Sequence, residues 1–293
     1  MTDAAVAGKR RGGAELGVVR RERWALLRRS PAFLIGLGLV GLWGASAVLG
    51  SWAAPKDPQA LDPIHKHQHP SVAHWFGTDV LGRDVFSRVI VGSRSILLIA
   101  VGATVMGTIL GTMLGLVSGY FKGIVDEVIM RLVDALLAMP VIVVALLAIA
   151  ALDHPSNVVV TLIIGFVFTP IIARTVRASV LGEAELDYVA AAKLRTERAP
   201  HILFVELLPN ILPPVIVEFT VRLGYAIFAV ATLSFLGVGA SPDSPDWGSQ
   251  VATHYSFINQ GIWWSSLFPA AAIATLAVGV NLLADGLVEA FER

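Results

Sequence analysis

The chain has 293 residues, of which 55% are hydrophobic and 15% are charged, and its mean hydropathy is +0.72. Soluble domains carry roughly a quarter charged residues, so this composition indicates that lipid is the main solvent. Its 22 basic and 22 acidic residues give no net charge, which argues against nucleic-acid binding, and the lack of cysteine excludes disulfides, thiolate metal ligands and cysteine nucleophiles.

Long runs without charge predict the membrane spans, because a helix needs about 20 residues to cross the ~30 Å hydrocarbon core. We predict an all-α integral membrane protein with about six transmembrane helices. A basic tail at 1–29 precedes the first span at 33–54, and an external loop with an interfacial helix follows at 55–93. Five more spans make up residues 94–289, at about 95–121, 124–152, 155–181, 211–238 and 265–284.

The distribution of Lys and Arg predicts a cytoplasmic N-terminus and, with six spans, a cytoplasmic C-terminus. The loops at 152–157 and 239–262 contain neither residue type and are therefore predicted to be external. The first span could instead be a cleaved signal peptide, since residues 45–47 read Ala-Ser-Ala. We favour a retained span because the apolar run continues to Ala54. Eight basic residues precede that span: Lys9, Arg10, Arg11, Arg20, Arg21, Arg23, Arg28 and Arg29.

Charges inside the predicted spans are costly in lipid and are expected to face a partner or a cavity. Glu127, Arg131 and Asp134 fall on one helix face, so we expect these three to pair with one another. Glu218 and Arg222 are four residues apart in the fifth span. Mutual pairing is the simpler interpretation of Glu218 and Arg222, and a position along a solute pathway is the alternative.

The segment 182–210 is predicted to be a long cytoplasmic loop with two short helices. Asp187 can cap the first helix, Pro200 suits the first turn of the second, and Asn210 can cap the fifth span. The small side chains of residues 190–192 would let another protein approach the helix backbone closely. A solvated connector is the alternative, but structured loops of this length usually serve a function.

This loop resembles the coupling loop of ABC importer permeases, whose pattern is Glu-Ala-Ala, three residues, Gly, nine residues, Ile-x-Leu-Pro. Three positions differ, and the most important is Thr196, which replaces the glycine of the turn. Glycine permits a positive φ that threonine disfavours, so we expect the turn to be wound differently here. The resemblance implies that an ATPase subunit binds Asp187, Tyr188, Ala190, Ala191, Ala192, Lys193, Thr196, Glu197 and Pro209.

A second segment resembles the Gly-Thr-Asp-x-x-Gly-Arg-Asp signature of the C-type permease subunit of dipeptide, oligopeptide and nickel importers. Further similarity to this subunit continues to about residue 287. The signature could cap and anchor an interfacial helix before the second span, or act in gating or in contact with a binding protein. The residues of the signature are Gly77, Thr78, Asp79, Gly82, Arg83 and Asp84.

Alternating histidines in the external loop, His65, His67 and His69, together with His74, could gather a divalent metal. We favour a solvated loop without metal, because no carboxylate or thiol completes an obvious ligand set.

The resemblance implies a type I importer core of five helices plus one N-terminal helix, in the inner membrane of a bacterium. Its implied partners are a second, homologous permease subunit, two ATPase domains that bind ATP and Mg²⁺, and an external solute-binding protein. The chain itself has no P-loop and no zinc-protease or serine-hydrolase motif, so we predict no catalytic residue and no cofactor of its own. Peptides are the expected solute; nickel chelates, haem, or transport driven by an ion gradient are the alternatives.

Overall fold

A computed structural model describes residues 27–28, 30–152, 156–238 and 243–292, so nearly all of the predicted basic tail lies outside the described residues. Within them the chain is helical, and the only extended pairing is an isolated bridge between Thr78 and Asp84. The helices are α1 (Pro31–Ala53), α2 (Val85–Phe121), α3 (Gly123–Leu137), α4 (Val141–Ala150), α5 (Asn157–Glu183), α6 (Asp187–Leu194), α7 (Ala199–Phe235), α8 (Trp247–His254) and α9 (Trp264–Glu292).

Five of these helices, α1, α2, α5, α7 and α9, are long and apolar enough to cross a membrane. The bent pair α3 and α4 makes a sixth span if the two are counted together, and their axes differ in direction by 83°. The break falls at Pro140, which has no N–H to donate and disfavours helical geometry at the residue before it. The predicted third span is therefore two helices and not one.

The charges of α3 pair differently from the prediction. Arg131 pairs with Glu127 as expected, but Asp134 pairs with Arg174 of α5. The predicted three-charge cluster on one face is therefore wrong for Asp134. The reason is that a neighbouring helix offers a guanidinium that the sequence spacing within α3 could not reveal.

A glycine stripe holds α2 and α5 together. A side chain added at Gly111 would place its Cβ 2.7 Å from Cβ of Ile172, and one at Gly107 would meet the carbonyl oxygen of Gly165 at 2.9 Å. Such close backbone approach is how helices pack in lipid, where van der Waals contact replaces the hydrophobic effect as the main attraction. The stripe recurs every four residues, at Gly107, Gly111, Gly115 and Gly119.

The first span, α1, packs outside this pair against α9. Gly36 lies against the backbone of Gly279, and Trp43 Nε1 donates a hydrogen bond to Thr275 Oγ1 at 3.1 Å. Most other side chains of α1 are exposed, as expected of a helix at the lipid-facing edge of a bundle.

Two surfaces close the ends of the bundle. At one end residues 54–84 and 243–263, which we call the cap, cover the first turns of α2 and α9. The predicted interfacial helix before the second span does not form a separate element, because α2 runs unbroken from Val85 and its first turns are buried beneath the cap. At the other end lies the segment 184–198, which we call the Ala-rich segment, containing α6.

Candidate functional site

The Ala-rich segment is attached to the ends of the neighbouring spans. Tyr188 donates a hydrogen bond to Glu183 at the end of α5, with 3.0 Å between the oxygens. Partial burial together with this bond raises the pKa of Tyr188 to about 12, so the hydroxyl stays protonated and able to donate. Lys193 Nζ lies 5.2 Å from the ring centre of Tyr120, near the end of α2. Displacement of α6 would therefore pull on both α2 and α5.

Helix α6 divides into an inner and an outer face. Val189 and Ala192 are fully buried against the protein itself, whereas Ala190 is exposed and Ala191 half-buried. The small-side-chain argument for a partner therefore applies to Ala190 and Ala191, and Ala192 does not face outward. Asp187 is not the N-cap as predicted; Leu186 takes that position and the Asp187 side chain caps no N–H. Its negative charge in the first turn still interacts favourably with the positive N-terminal end of the helix dipole.

Thr196 has the backbone conformation of the glycine it replaces. Its φ is +55°, in the left-handed region. Its N–H donates to the carbonyl of Lys193 at 2.9 Å, and the N–H of Glu197 donates to that of Ala192 at 3.2 Å. This pair of bonds is the Schellman motif, which satisfies the last carbonyls of a helix. The prediction that the turn would be wound differently is wrong, because these bonds select the geometry despite threonine's preference.

A charged cluster follows the turn. Arg195 pairs with Glu197 at 2.7 Å and with Glu206 of α7 at 3.4 Å, and the hydrogen bond that Arg195 donates to Glu197 raises the pKa of Arg195. His201 Nε2 lies 3.4 Å from Glu197. The cluster ties the segment to α7.

The fifth span begins earlier than predicted. Helix α7 starts at Ala199, with Pro200 in its first turn as expected, and continues through a π-helical turn at Ile202–Leu207. The second short helix is therefore the start of the span. Asn210 lies inside α7 and does not cap it; its Nδ2 donates to the carbonyl of Glu206 at 2.8 Å. The wider π turn precedes Pro209, which has no N–H for the regular α-helical bond.

Large apolar side chains are exposed on and beside this segment. Leu194, at the end of α6, is 85% exposed, and Phe204 and Val205 of α7 are about half exposed. Sequence reasoning missed these three residues. For Leu194 the available signal was an apolar residue at the end of α6 with a charged residue on either side, Lys193 and Arg195.

At the other end, Asp79 organises the turn of the Gly-Thr-Asp signature. Its Oδ1 accepts hydrogen bonds from the N–H groups of Leu81 and Arg83 at 2.8 and 2.9 Å, and its Oδ2 accepts one from Arg83 Nε at 2.7 Å. Gly77 and Gly82 supply the positive φ values, 72° and 79°, that the turn requires. Asp79 and Arg83 are both buried, so they are not free to receive a solute.

Asp84, the last residue of the signature, caps α2. Its Oδ2 accepts from the N–H and the hydroxyl of Ser87 at 2.9 and 2.7 Å. Its Oδ1 lies 2.8 Å from His74 Nδ1, and Lys56 Nζ lies 3.0 Å from the other ring nitrogen of His74. Capping, one of the two alternatives for the signature, is therefore present.

Buried side chains join the two halves of the cap. Arg88 donates to the carbonyls of Pro58 at 3.1 Å and Ser244 at 2.8 Å. Trp264 Nε1 donates to the carbonyl of Thr78 at 3.0 Å. His254 is fully buried beside Asp79, and this burial lowers the pKa of His254. Arg88 and Trp264, which lie outside the signature, thus hold the cap on the spans, and Thr78 of the signature contributes a backbone carbonyl.

The alternating histidines do not converge on a metal site. His65 pairs with Asp62 at 2.6 Å, His67 packs on Phe257 and His69 packs on Trp264. Among the described residues, the only three side chains positioned as joint metal ligands are Glu197, His201 and Glu206. Arg195 already pairs with both of those carboxylates.

Glu218 and Arg222 form an ion pair within α7, with 2.6 Å between Oε1 and Nε. The guanidinium of Arg222 also lies over the ring of Tyr225, 5.1 Å from its centre. Beside them a cavity of about 270 Å³ lies between α7 and α9. Tyr225 therefore lines this cavity and also contacts Arg222 of the ion pair.

Known transport proteins are similar to this chain over most of its length. Residues 111–293 match the family model described as "Binding-protein-dependent transport system inner membrane component". The chain is 37% identical over 262 residues to the probable D,D-dipeptide transport system permease protein DdpC of Escherichia coli K12, covering 89% of this chain and 87% of that protein. It is 39% identical over 278 residues to the dipeptide transport system permease protein DppC of the same organism, covering 93% and 92%.

Proposed function

The chain belongs to the family of inner membrane components of binding-protein-dependent transport systems, and on that premise we propose that it is the permease subunit of an ATP-driven peptide importer. The single observation that carries the proposal is the outward face of the Ala-rich segment. It combines small residues, an almost fully exposed Leu194 and attachment to the ends of three spans.

The proposed partners follow from what the chain lacks and what its surfaces offer. ATP and Mg²⁺ would be bound by two ATPase domains, since the chain has no P-loop of its own. One of these domains would cover Ala190, Ala191 and Leu194, because an exposed apolar patch on a connecting segment is typical of a protein interface. A second, homologous permease would complete the pathway, and a binding protein would deliver the peptide at the cap.

The proposed mechanism is a shift between two states of the spans. Closure of the ATPase domains moves the Ala-rich segment, and its contacts with α2, α5 and α7 pass this displacement to the spans. ATP and the loaded binding protein both favour the outward-facing state, and hydrolysis allows return to the inward-facing state. Peptides are the solute most consistent with relatives named as dipeptide transport permeases.

Substituting Ala191→Arg tests the coupling assignment, because a long charged side chain would prevent close approach of the ATPase. We expect ATP-dependent uptake of labelled peptides and co-purification of the ATPase subunits each to fall by about tenfold or more, as for loss of a central interface residue.

The matched control is Ala60→Arg, the same change at an exposed position of the cap, which should leave ATPase co-purification unchanged. Wild-type ATPase binding and uptake in Ala191→Arg would contradict the assignment. Uptake by the unmodified chain without ATPase subunits would instead indicate a transporter driven by an ion gradient.

A further inference from the structure

A polar stripe runs along the exposed faces of two spans. Asn281 and Asp285 are exposed on α9, one turn apart, and Tyr225 is exposed on α7 opposite them. The stripe continues to Arg222, which lies 13 residues before the end of α7, or about 20 Å along the helix at 1.5 Å per residue. The polar stripe therefore lies within the hydrocarbon region and runs toward the end of the bundle that carries the Ala-rich segment.

Such a stripe is not compatible with a lipid-facing surface. Charged and amide side chains within spans almost always face a partner subunit or a water-filled cavity, because lipid offers them no hydrogen bonds. The neighbouring lipid-facing helix α1 shows the contrast, since its exposed residues between Leu34 and Leu49 are apolar or small. The α7–α9 face is thus a surface that requires a water-filled cavity or a partner subunit as its neighbour.

The cavity of about 270 Å³ lies on this stripe. Its walls include the rings of Tyr225 and Phe228, the amide of Asn281 and the carboxyl group of Asp285. Gly224 forms its floor, where an added Cβ would lie only 2.8 Å from Asn281 Oδ1, so the helices approach closely at this point. Within the described part of the chain, no cationic side chain pairs with Asp285.

The chemistry of these walls favours one kind of ligand. A carboxylate attracts a cation, an amide oxygen accepts a hydrogen bond from an N–H donor, and two aromatic rings offer faces that attract a cation electrostatically. A primary ammonium group satisfies all three, and a carboxylate ligand would be repelled by Asp285. Arg222 does not compete with the ammonium group for Asp285, because Glu218 already neutralises the charge of Arg222.

We propose that Asp285, with Asn281, Tyr225 and Phe228, binds the ammonium group of the transported peptide in the inner half of the translocation pathway. This inference rests on the proposed function and deepens it by naming a recognition site within the permease itself. The cavity is open on one side, and the second permease subunit would complete it. At this site the N-terminal charge of the peptide would be paired again after the peptide dissociates from its binding protein.

The test uses the complete complex in proteoliposomes, with binding protein at saturation and a pool of isotope-labelled dipeptides and short oligopeptides as probe. Asp285→Asn removes the charge at nearly constant shape, and Asp285→Glu retains it. We expect uptake per ATP hydrolysed to fall about fivefold or more in Asp285→Asn, as for loss of a charge-assisted hydrogen bond, and to stay within about twofold of wild type in Asp285→Glu. Glu127→Gln, the same carboxylate-to-amide change at an exposed position of α3, serves as the control.

Size-exclusion chromatography of the same preparations separates the alternatives. Loss of the second permease subunit from the Asp285→Asn complex would overturn the proposal and assign Asp285 to an intersubunit ion pair. Unchanged uptake in Asp285→Asn would also overturn it. Failure of the wild-type complex to import any peptide would instead contradict the proposed function, so the two failures are distinguishable.

Discussion

Thr196 shows how a single residue can carry a strained conformation that its surroundings impose. A left-handed backbone costs a non-glycine residue about 1–2 kcal/mol, and the cost is greater for β-branched side chains. The two Schellman bonds that end α6 offset that cost. The hydroxyl adds a bond to the carbonyl of Arg195 at 2.7 Å, which is exposed and contributes little.

Replacing this residue by the family's glycine should relieve the strain. We expect Thr196→Gly to stabilise the turn by about 1 kcal/mol, which corresponds to about fivefold slower hydrogen exchange at the amides of residues 196 and 197. Thr196→Ala keeps a Cβ and should give a smaller effect. Faster exchange in the glycine variant would show that the turn is held by the hydroxyl and not strained.

At the scale of elements, the pair α2 and α5 forms the centre of the bundle through its glycine stripe. Apolar side chains gain nothing by leaving lipid for another apolar surface, so helices in a membrane associate through close packing. Four glycines on one face of α2 give Ile172, Val176 and Val180 of α5 direct access to its backbone. The cap, in contrast, is held by buried polar groups.

The stripe predicts a position-specific response to larger side chains. Gly111→Val would place a side chain against Ile172 and should destabilise the bundle by about 1–3 kcal/mol, the usual cost of overpacking. Gly41→Val on α1, where an added Cβ meets nothing within 4 Å, is the matched control. The measurement is the thermal unfolding midpoint of the detergent-purified chain, and equal midpoints for the two variants would contradict the packing role.

At the scale of the whole molecule, the cap and the Ala-rich segment lie at opposite ends of the same long helices. Helix α7 runs from the charged cluster at Glu206 to the vicinity of α8, and α2 runs from the cap to Tyr120. Both ends can therefore respond to one movement of the spans. This arrangement requires that the two surfaces face opposite sides of the membrane.

The absence of cysteine allows that requirement to be tested with single introduced thiols. Val72→Cys in the cap and Leu194→Cys in the Ala-rich segment replace residues that are 96% and 85% exposed. We expect a membrane-impermeant maleimide to label the first variant in intact spheroplasts, and the second only after permeabilisation and less when ATPase subunits are bound. Equal labelling of both variants in intact spheroplasts would contradict the predicted orientation.

The interpretation from sequence was most successful where local chemistry decides the outcome. Run length predicted the long spans, and proline chemistry placed Pro200 in a first helical turn. It failed where the outcome depends on contacts or helix bounds that the local sequence does not specify. Asp134 and Arg174 are 40 residues apart, and Asn210 became part of a helix because α7 begins eleven positions earlier, at Ala199.

By itself, the sequence determined that the chain crosses a membrane as helices, because lipid leaves the backbone no other means of satisfying its hydrogen bonds. It also determined the site of the Ala-rich segment, since alanine and proline act locally. Only the tertiary structure decided that Thr196 takes a glycine conformation, that Asp79 and Arg83 are buried, and that Asn281 and Asp285 share a cavity with Tyr225. The physical reason is that burial and pairing depend on which helices become neighbours, which spacing along one helix does not specify.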